Sequence, residues 1–156
     1  MSRSFDAKEL ARIAVVDERS GQEMYKKMSA QAKDAELVAR FLWLADQEAV
    51  HAQRFEELYK KLESGPPAQY PDAAMDYLEV ITARGGQAED RSDIGAAATD
   101  QELIALAIRF EREQLFLQRD MSEFIADEHK QVIEAIISEE RGHLVTLSKE
   151  LQRLRG

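Results

Sequence analysis

The chain contains no cysteine. Disulfide bonds, thiol nucleophiles, zinc ribbons and iron–sulfur sites are therefore all excluded. Basic residues are also scarce: 21 Lys and Arg stand against 30 Asp and Glu, a net charge of −9, which argues against a nucleic-acid partner because phosphate contacts need a basic surface. No uncharged run approaches the ~18 residues of a membrane helix, and the first residues carry no apolar signal segment. We therefore expect a soluble, cytoplasmic protein without nucleic-acid or membrane partners.

Helix-breaking residues are few and concentrated in one stretch. All three prolines and four of the seven glycines lie between residues 65 and 95. Elsewhere apolar residues recur at three- and four-residue steps, the pattern of amphipathic helices. At 156 residues, the chain is expected to form a single all-α domain. The predicted helices cover about 6–32, 34–63, 100–126 and 128–154, with a connection over 64–99.

The long connection and the helix starts carry further predictions. A short helix is expected over 72–84, within a connection too long for a tight turn. We expect this connection to cross along the bundle and to place the third helix parallel to the second, as in ferritin-like folds. The predicted N-caps are Asp34, Thr99 in a capping box with Glu102, and Asp127.

Two Glu-x-x-His words, Glu48-Ala-Val-His51 and Glu140-Arg-Gly-His143, are the most informative motifs. Residues three apart lie on the same side of a helix. Each word therefore offers one carboxylate and one imidazole to a single metal ion. One such motif would be weak support for a metal site, because glutamate is common in helices. Two in one chain are hard to obtain by chance.

A lone glutamate precedes each word on a helical face. Glu18 lies 30 residues before Glu48, and Glu111 lies 29 residues before Glu140. The second half of the chain thus repeats the first at an offset of 93 or 92 residues. Asp17 could replace Glu18 in a different helical register, but the matching place of Glu111 favours Glu18.

These side chains together predict a dinuclear metal centre. Four carboxylates on apolar faces would repel one another and be poorly solvated, unless cations neutralised them. No Lys or Arg lies on these faces; Arg19, Arg112 and Arg141 point elsewhere. Carboxylates with one imidazole per ion suit iron or manganese. Each histidine is expected to bind one ion, with the glutamates of the two words bridging the pair and the lone glutamates binding terminally. The predicted ligands are Glu18, Glu48, His51, Glu111, Glu140 and His143.

The chain resembles the erythrin branch of the ferritin-like superfamily, the diiron domain of rubrerythrins. The run Glu18-Arg-Ser-Gly-Gln-Glu-Met-Tyr25 matches the family's first-helix pattern, and the two Glu-x-x-His words match its ligand turns. The resemblance implies a four-helix bundle that holds two non-haem iron ions. It also implies that Tyr25 donates a hydrogen bond to a ligand carboxylate, although a core tyrosine is an equal alternative. Rubrerythrins usually carry a further carboxylate on the third helix, where this chain has Gln114. Gln118 stands where a second tyrosine would lie.

The predicted function is a diiron-carboxylate oxidoreductase that oxidises Fe(II) with hydrogen peroxide or O₂, as a rubrerythrin-like peroxidase or ferroxidase. Gln114, in place of the usual carboxylate, slightly favours O₂ over hydrogen peroxide as the oxidant. Without cysteine to bind a rubredoxin-type iron, the chain needs an external electron donor protein or reductant. The alternatives are a ferritin-like iron storage protein, a manganese catalase-like protein and a metal-free helical interaction module.

Several apolar and small residues remain outside the main pattern. Leu42, Trp43 and Val50 are expected to pack under the crossover or to form the face of a homodimer. Gly21 and Gly142 are costly inside helices, at ~1 kcal/mol each relative to alanine. They are expected to leave room at the metal centre or to allow close helix approach.

Overall fold

Five helices and no strand make up the residues that the computed structural model describes, which are 7–62, 76 and 92–156. The four long helices begin and end within two residues of their predicted bounds. The helix expected over 72–84 and most of the connection lie outside the described residues. The helices are α1 (Ala7–Gln31), α2 (Ala35–Lys61), α3 (Ser92–Ala96), α4 (Asp100–Phe124) and α5 (Asp127–Arg155).

Two of the three predicted N-caps are confirmed. The Asp34 side chain accepts a hydrogen bond from the Leu37 amide at 2.9 Å, and Thr99 forms the full capping box with Glu102. The prediction for Asp127 is wrong. Helix α5 begins one residue earlier than expected, with Ala126 as an N-cap that makes no side-chain hydrogen bond. Asp127 is thus the first helical residue, where its negative charge still faces the positive end of the helix dipole.

Side-chain contacts define the directions of the helices. Tyr25 contacts Glu111 while Glu18 contacts Gln118, so α1 and α4 run antiparallel. The pairs Arg40–Glu150 and Arg54–Glu139 show the same for α2 and α5.

The short turn between α1 and α2 makes these two helices an antiparallel hairpin as well. Helices α2 and α4 therefore run parallel, which confirms the predicted ferritin-like crossover topology. None of the helices in the described ranges is long and apolar enough to span a bilayer.

The apolar core is divided into two clusters by a layer of polar side chains at mid-bundle. One cluster is built around Leu10, Phe55, Met121 and Ile133. The other surrounds Met28, Phe41, Leu103 and Leu147. Each cluster draws on all four long helices, so the polar layer between them is closed off from water at both ends.

Candidate metal centre

All six predicted ligands meet in the polar layer between the two apolar clusters. Each of the four long helices contributes at least one of them. Every side chain in the set is at most 2% exposed. Burying four carboxylates together is costly unless cations or hydrogen bonds compensate. The six residues are Glu18, Glu48, His51, Glu111, Glu140 and His143.

The six side chains form two overlapping groups of possible metal ligands. Within each group, one ligand atom from every residue lies within 4.8 Å of all the others. Both groups include Glu48 and Glu140, so these two carboxylates lie between the two halves of the centre. The imidazole rings of His51 and His143 stack with their centroids 5.5 Å apart. The first group is Glu18, Glu48, His51 and Glu140; the second is Glu48, Glu111, Glu140 and His143.

Glu140 occupies the middle of this arrangement. Its Oε1 lies 2.9 Å from Nδ1 of His51, and its Oε2 lies 2.8 Å from Nδ1 of His143. Nδ1 of His143 is also 3.6 Å from a carboxylate oxygen of Glu48 and of Glu111. Both histidines therefore direct Nδ1 toward the shared carboxylates.

The crowding of carboxylates perturbs their ionisation. Burial, and then the charge of neighbouring carboxylates, raise the pKa of Glu18 and Glu111 well above the usual range. The same two causes, with Glu140 as the neighbour, raise the pKa of Glu48 to about 8. Glu140 behaves differently: burial favours its neutral form, but its close contacts with the Nδ1 atoms of His143 and His51 outweigh this effect and lower its pKa. In the metal-free protein, protons must therefore take up part of the charge.

His143 balances only part of this charge. Burial lowers the pKa of His143, but the nearby carboxylates of Glu111 and Glu140 outweigh burial and raise it to about 10. Among the described residues, no arginine enters the centre. Arg19, which follows Glu18 in sequence, pairs instead with Glu56 at the surface.

Unpartnered buried atoms test whether the site suits a metal. Each of the four glutamates has one carboxylate oxygen without a hydrogen-bond partner, although it is buried. Nδ1 of His143 likewise lies close to carboxylates without a well-aligned hydrogen bond. Buried polar groups normally find partners. Oxygen and imidazole nitrogen atoms that converge in this way fit the donor preferences of iron and manganese. The unpartnered carboxylate atoms are Glu18 Oε2, Glu48 Oε1, Glu111 Oε2 and Glu140 Oε2.

Tyr25 and two glutamines hold the carboxylates in place. The fully buried Tyr25 donates its hydroxyl hydrogen to Oε1 of Glu111. Gln118, at the related position on α4, donates to Oε1 of Glu18 at 2.7 Å. The chain thus places a hydrogen-bond donor seven residues after each lone glutamate. Gln114 donates to Oε2 of Glu48 at 2.9 Å. The sequence marked both glutamines only as departures, because spacing alone does not show which carboxylate an amide will reach.

Gly21 allows a close approach that the sequence had suggested. A Cβ atom at Gly21 would lie 2.5 Å from Oε2 of Glu48 and 2.8 Å from Cζ of Phe110. The missing side chain therefore makes room for a carboxylate of the centre. Gly142 does not fulfil the same expectation, since a Cβ atom there would meet nothing within 4 Å.

Glu139 and Arg54 are two residues that sequence reasoning missed. Oε2 of Glu139 lies 2.8 Å from Nε2 of His51, and its Oε1 accepts a hydrogen bond of 2.8 Å from Arg54. Burial raises the pKa of Glu139, but hydrogen bonds from Arg54 and His51 outweigh burial and lower it. No motif signalled this contact, because Glu139 lies beside the apolar stripe of α5 rather than within it.

The structure also locates Asp17, the alternative to Glu18, and the three apolar residues of α2 that lie outside the main stripe. Asp17 is buried at the edge of the centre but belongs to neither group of possible ligands. Leu42, Trp43 and Val50 are each at least 40% exposed on α2. The Trp43 ring also meets the His143 ring edge-on, with centroids 5.6 Å apart.

Fold and centre together define a ferritin-like four-helix bundle with a buried carboxylate–histidine cluster. The model of the rubrerythrin family matches residues 9–151. The chain therefore belongs to the rubrerythrin family, which confirms the resemblance seen in its sequence.

A solved structure shares the whole fold. It is a Thermotoga maritima protein whose own assignment as a ferritin-like diiron-carboxylate protein is provisional. The two chains are 21% identical with a TM-score of 0.70, over 97% of this chain and 98% of the other. At this identity, the likeness shows the fold alone. No curated protein matches the chain.

Proposed function

We propose that this protein is a diiron-carboxylate oxidoreductase that oxidises bound Fe(II) with hydrogen peroxide or O₂ and is returned to the ferrous state by an external reductant. The observation that carries this proposal is the pair of four-residue groups that share Glu48 and Glu140. Membership of the rubrerythrin family supports iron as the metal.

The six buried side chains would hold the two ions. His51 and Glu18 would bind one ion, and His143 and Glu111 the other, while the two shared carboxylates would bridge them. When bound, two ferrous ions supply the two electrons that, with two protons, reduce one hydrogen peroxide to two waters. Manganese would suit the same donor atoms, and elemental analysis distinguishes the two metals.

The protein's own residues prepare the centre for this chemistry. The two apolar clusters exclude bulk water from the polar layer, and a dry site strengthens every electrostatic interaction within it. The hydroxyl of Tyr25 keeps its proton, because burial and the charge of Glu111 raise its pKa well above the usual range. It therefore acts as a fixed donor that orients Glu111. Gln114 and Gln118 orient Glu48 and Glu18 in the same way.

The identity of the oxidant can be tested directly. Anaerobic apoprotein is loaded with two equivalents of Fe(II) and mixed with either O₂ or hydrogen peroxide, while the near-ultraviolet absorbance of the ferric product is followed. Much faster oxidation by peroxide supports a peroxidase, and equal or faster oxidation by O₂ supports a ferroxidase. The absence of bound iron would contradict the proposal.

Gln114 offers a matched variant for this experiment. Its side chain amide donates to Glu48 at the place where rubrerythrins usually carry a further carboxylate. If the amide favours O₂, Gln114→Glu should increase the rate with peroxide relative to the rate with O₂. An unchanged ratio would show that position 114 does not select the oxidant.

A further inference from the structure

The two halves of the centre differ in the groups that surround their histidines. The repeat in the sequence relates His51 to His143 and supplies each with the same kinds of carboxylate ligand. The repeat does not extend to the groups behind the rings. The 92-residue offset relates Glu139 to Gln47, and Arg54 to Thr146. A charged pair thus stands behind His51, while the related positions behind His143 are neutral.

The contact with Glu139 fixes the orientation of the His51 ring. A carboxylate accepts hydrogen bonds but does not donate them. The Nε2 atom of His51, 2.8 Å from Glu139, must therefore carry a hydrogen. Nδ1, on the other side of the ring, faces into the centre, with Glu140 at 2.9 Å and Glu18 at 3.7 Å. The contact with Glu139 thus orients the ring so that Nδ1, and not Nε2, is the nitrogen that a metal would bind.

Arg54 completes this arrangement. Its guanidinium donates to the second oxygen of Glu139 at 2.8 Å, which keeps the carboxylate aligned with the His51 ring. A carboxylate behind a ligand histidine raises the basicity of the imidazole and orients it toward the metal. The side chains of Glu139 and Arg54 are 38% and 39% exposed, so either can be changed without opening the core.

His143 has different surroundings. In the part of the chain that the structure describes, its ion pairs all run through Nδ1, toward Glu48, Glu111 and Glu140. Its ring meets the edge-on indole of Trp43. An indole ring does not add negative charge behind the imidazole as a carboxylate does.

From these differences, we propose that the two metal subsites are unequal: Glu139, aligned by Arg54, is a positioning residue that makes the His51 subsite fill before the His143 subsite. This inference rests on the proposed metal centre and adds an order of loading to it. Removal of such a supporting carboxylate typically weakens metal binding by about 10–100-fold.

Histidine NMR can follow each subsite separately, because the chain has only three histidines. Apoprotein with ¹⁵N-labelled histidine is titrated with Zn(II), a diamagnetic and redox-silent probe. The variant His129→Gln identifies the signals of His129, the histidine that is not a predicted ligand. We expect the ring nitrogens of His51 to shift during the first equivalent and those of His143 during the second.

The decisive variant is Glu139→Gln, whose amide oxygen can still accept the hydrogen bond but carries no charge. We expect it to weaken the first binding step about tenfold or more and to abolish the order of loading. Glu134→Gln is the matched control, since it removes the same charge from an exposed position on the same helix. It should leave the order unchanged.

The outcomes separate this inference from the proposed function. Simultaneous shifts of both histidines in the unmodified protein, or an unchanged order in Glu139→Gln, would overturn the unequal subsites but leave the metal centre standing. A titration in which neither histidine shifts would overturn the metal centre and the order of loading together.

Discussion

The sharpest test of the packing around the centre is the substitution Gly21→Ala. The added Cβ would lie 2.5 Å from Oε2 of Glu48 and 2.8 Å from Cζ of Phe110. Both distances are shorter than van der Waals contact, so both side chains must move. In the metal-free protein, the end of the Glu48 side chain can turn away. In the metal-loaded protein it cannot, because the proposed role of Glu48 is to bridge two ions.

The expected magnitude has two opposing parts. Alanine favours a helix interior by about 1 kcal/mol over glycine, whereas overpacking costs about 1–3 kcal/mol. The stability of the apoprotein should therefore change little or fall by up to about 2 kcal/mol. The stabilisation by metal should fall further, since each tenfold loss of affinity removes about 1.4 kcal/mol of it.

Thermal unfolding with and without anaerobic Fe(II) measures this difference. Gly142→Ala is the matched control, because a Cβ there meets nothing within 4 Å. It should raise the Tm by about 2–4 °C through helix propensity alone and keep the full shift caused by metal. If Gly21→Ala also kept the full shift, the reasoning that Gly21 makes room for a bridging carboxylate would be refuted.

Four further predictions concern the centre and the assembly. Glu48→Gln removes a buried acid whose pKa the crowded cluster raises to about 8, so it should stabilise the apoprotein at pH 7 by up to about 3 kcal/mol and lose stabilisation by Fe(II), both measured by urea unfolding. Tyr25→Phe leaves an oxygen of Glu111 without its donor and should cost about 1–3 kcal/mol in the same assay; no change would show that the hydrogen bond is dispensable. The folded pKa values of Glu48 and His143 lie above their unfolded values, so the native apoprotein binds more protons than the unfolded chain. Its Tm should therefore fall as pH rises from about 5 to 8, and a rising Tm would contradict this sign. Light scattering should give a homodimer with twice the 17.7 kDa chain mass, and a particle of cage size would instead favour iron storage.

Much of the fold follows from the sequence because the controlling signals are local. Apolar periodicity places the four long helices, and the side chains of Asp34 and Thr99 identify where two of them begin. The start of α5 was misjudged, because Ala126 offers no capping side chain that could mark it. The crossover topology also follows, since a connection as long as 64–99 permits parallel helices.

The candidate ligands could be predicted because the ligand pattern occurs twice in the sequence. Each Glu-x-x-His word fixes two donors on one helical face, and the repeat identifies Glu18 and Glu111 as partners. The supporting contacts could not be predicted in this way. Glu139 and Arg54 come from different helices and lie beside the core stripes, so only the packing of α2 against α5 brings them to His51.

The most direct test of the account is the number of Fe(II) ions that each chain binds. Anaerobic equilibrium dialysis followed by elemental analysis should find two ions per chain in the unmodified protein. The double variant Glu48→Gln with Glu140→Gln removes both shared carboxylates and should bind far fewer. The absence of iron in the unmodified protein, or two ions per chain in the double variant as well, would contradict a diiron centre built on Glu48 and Glu140.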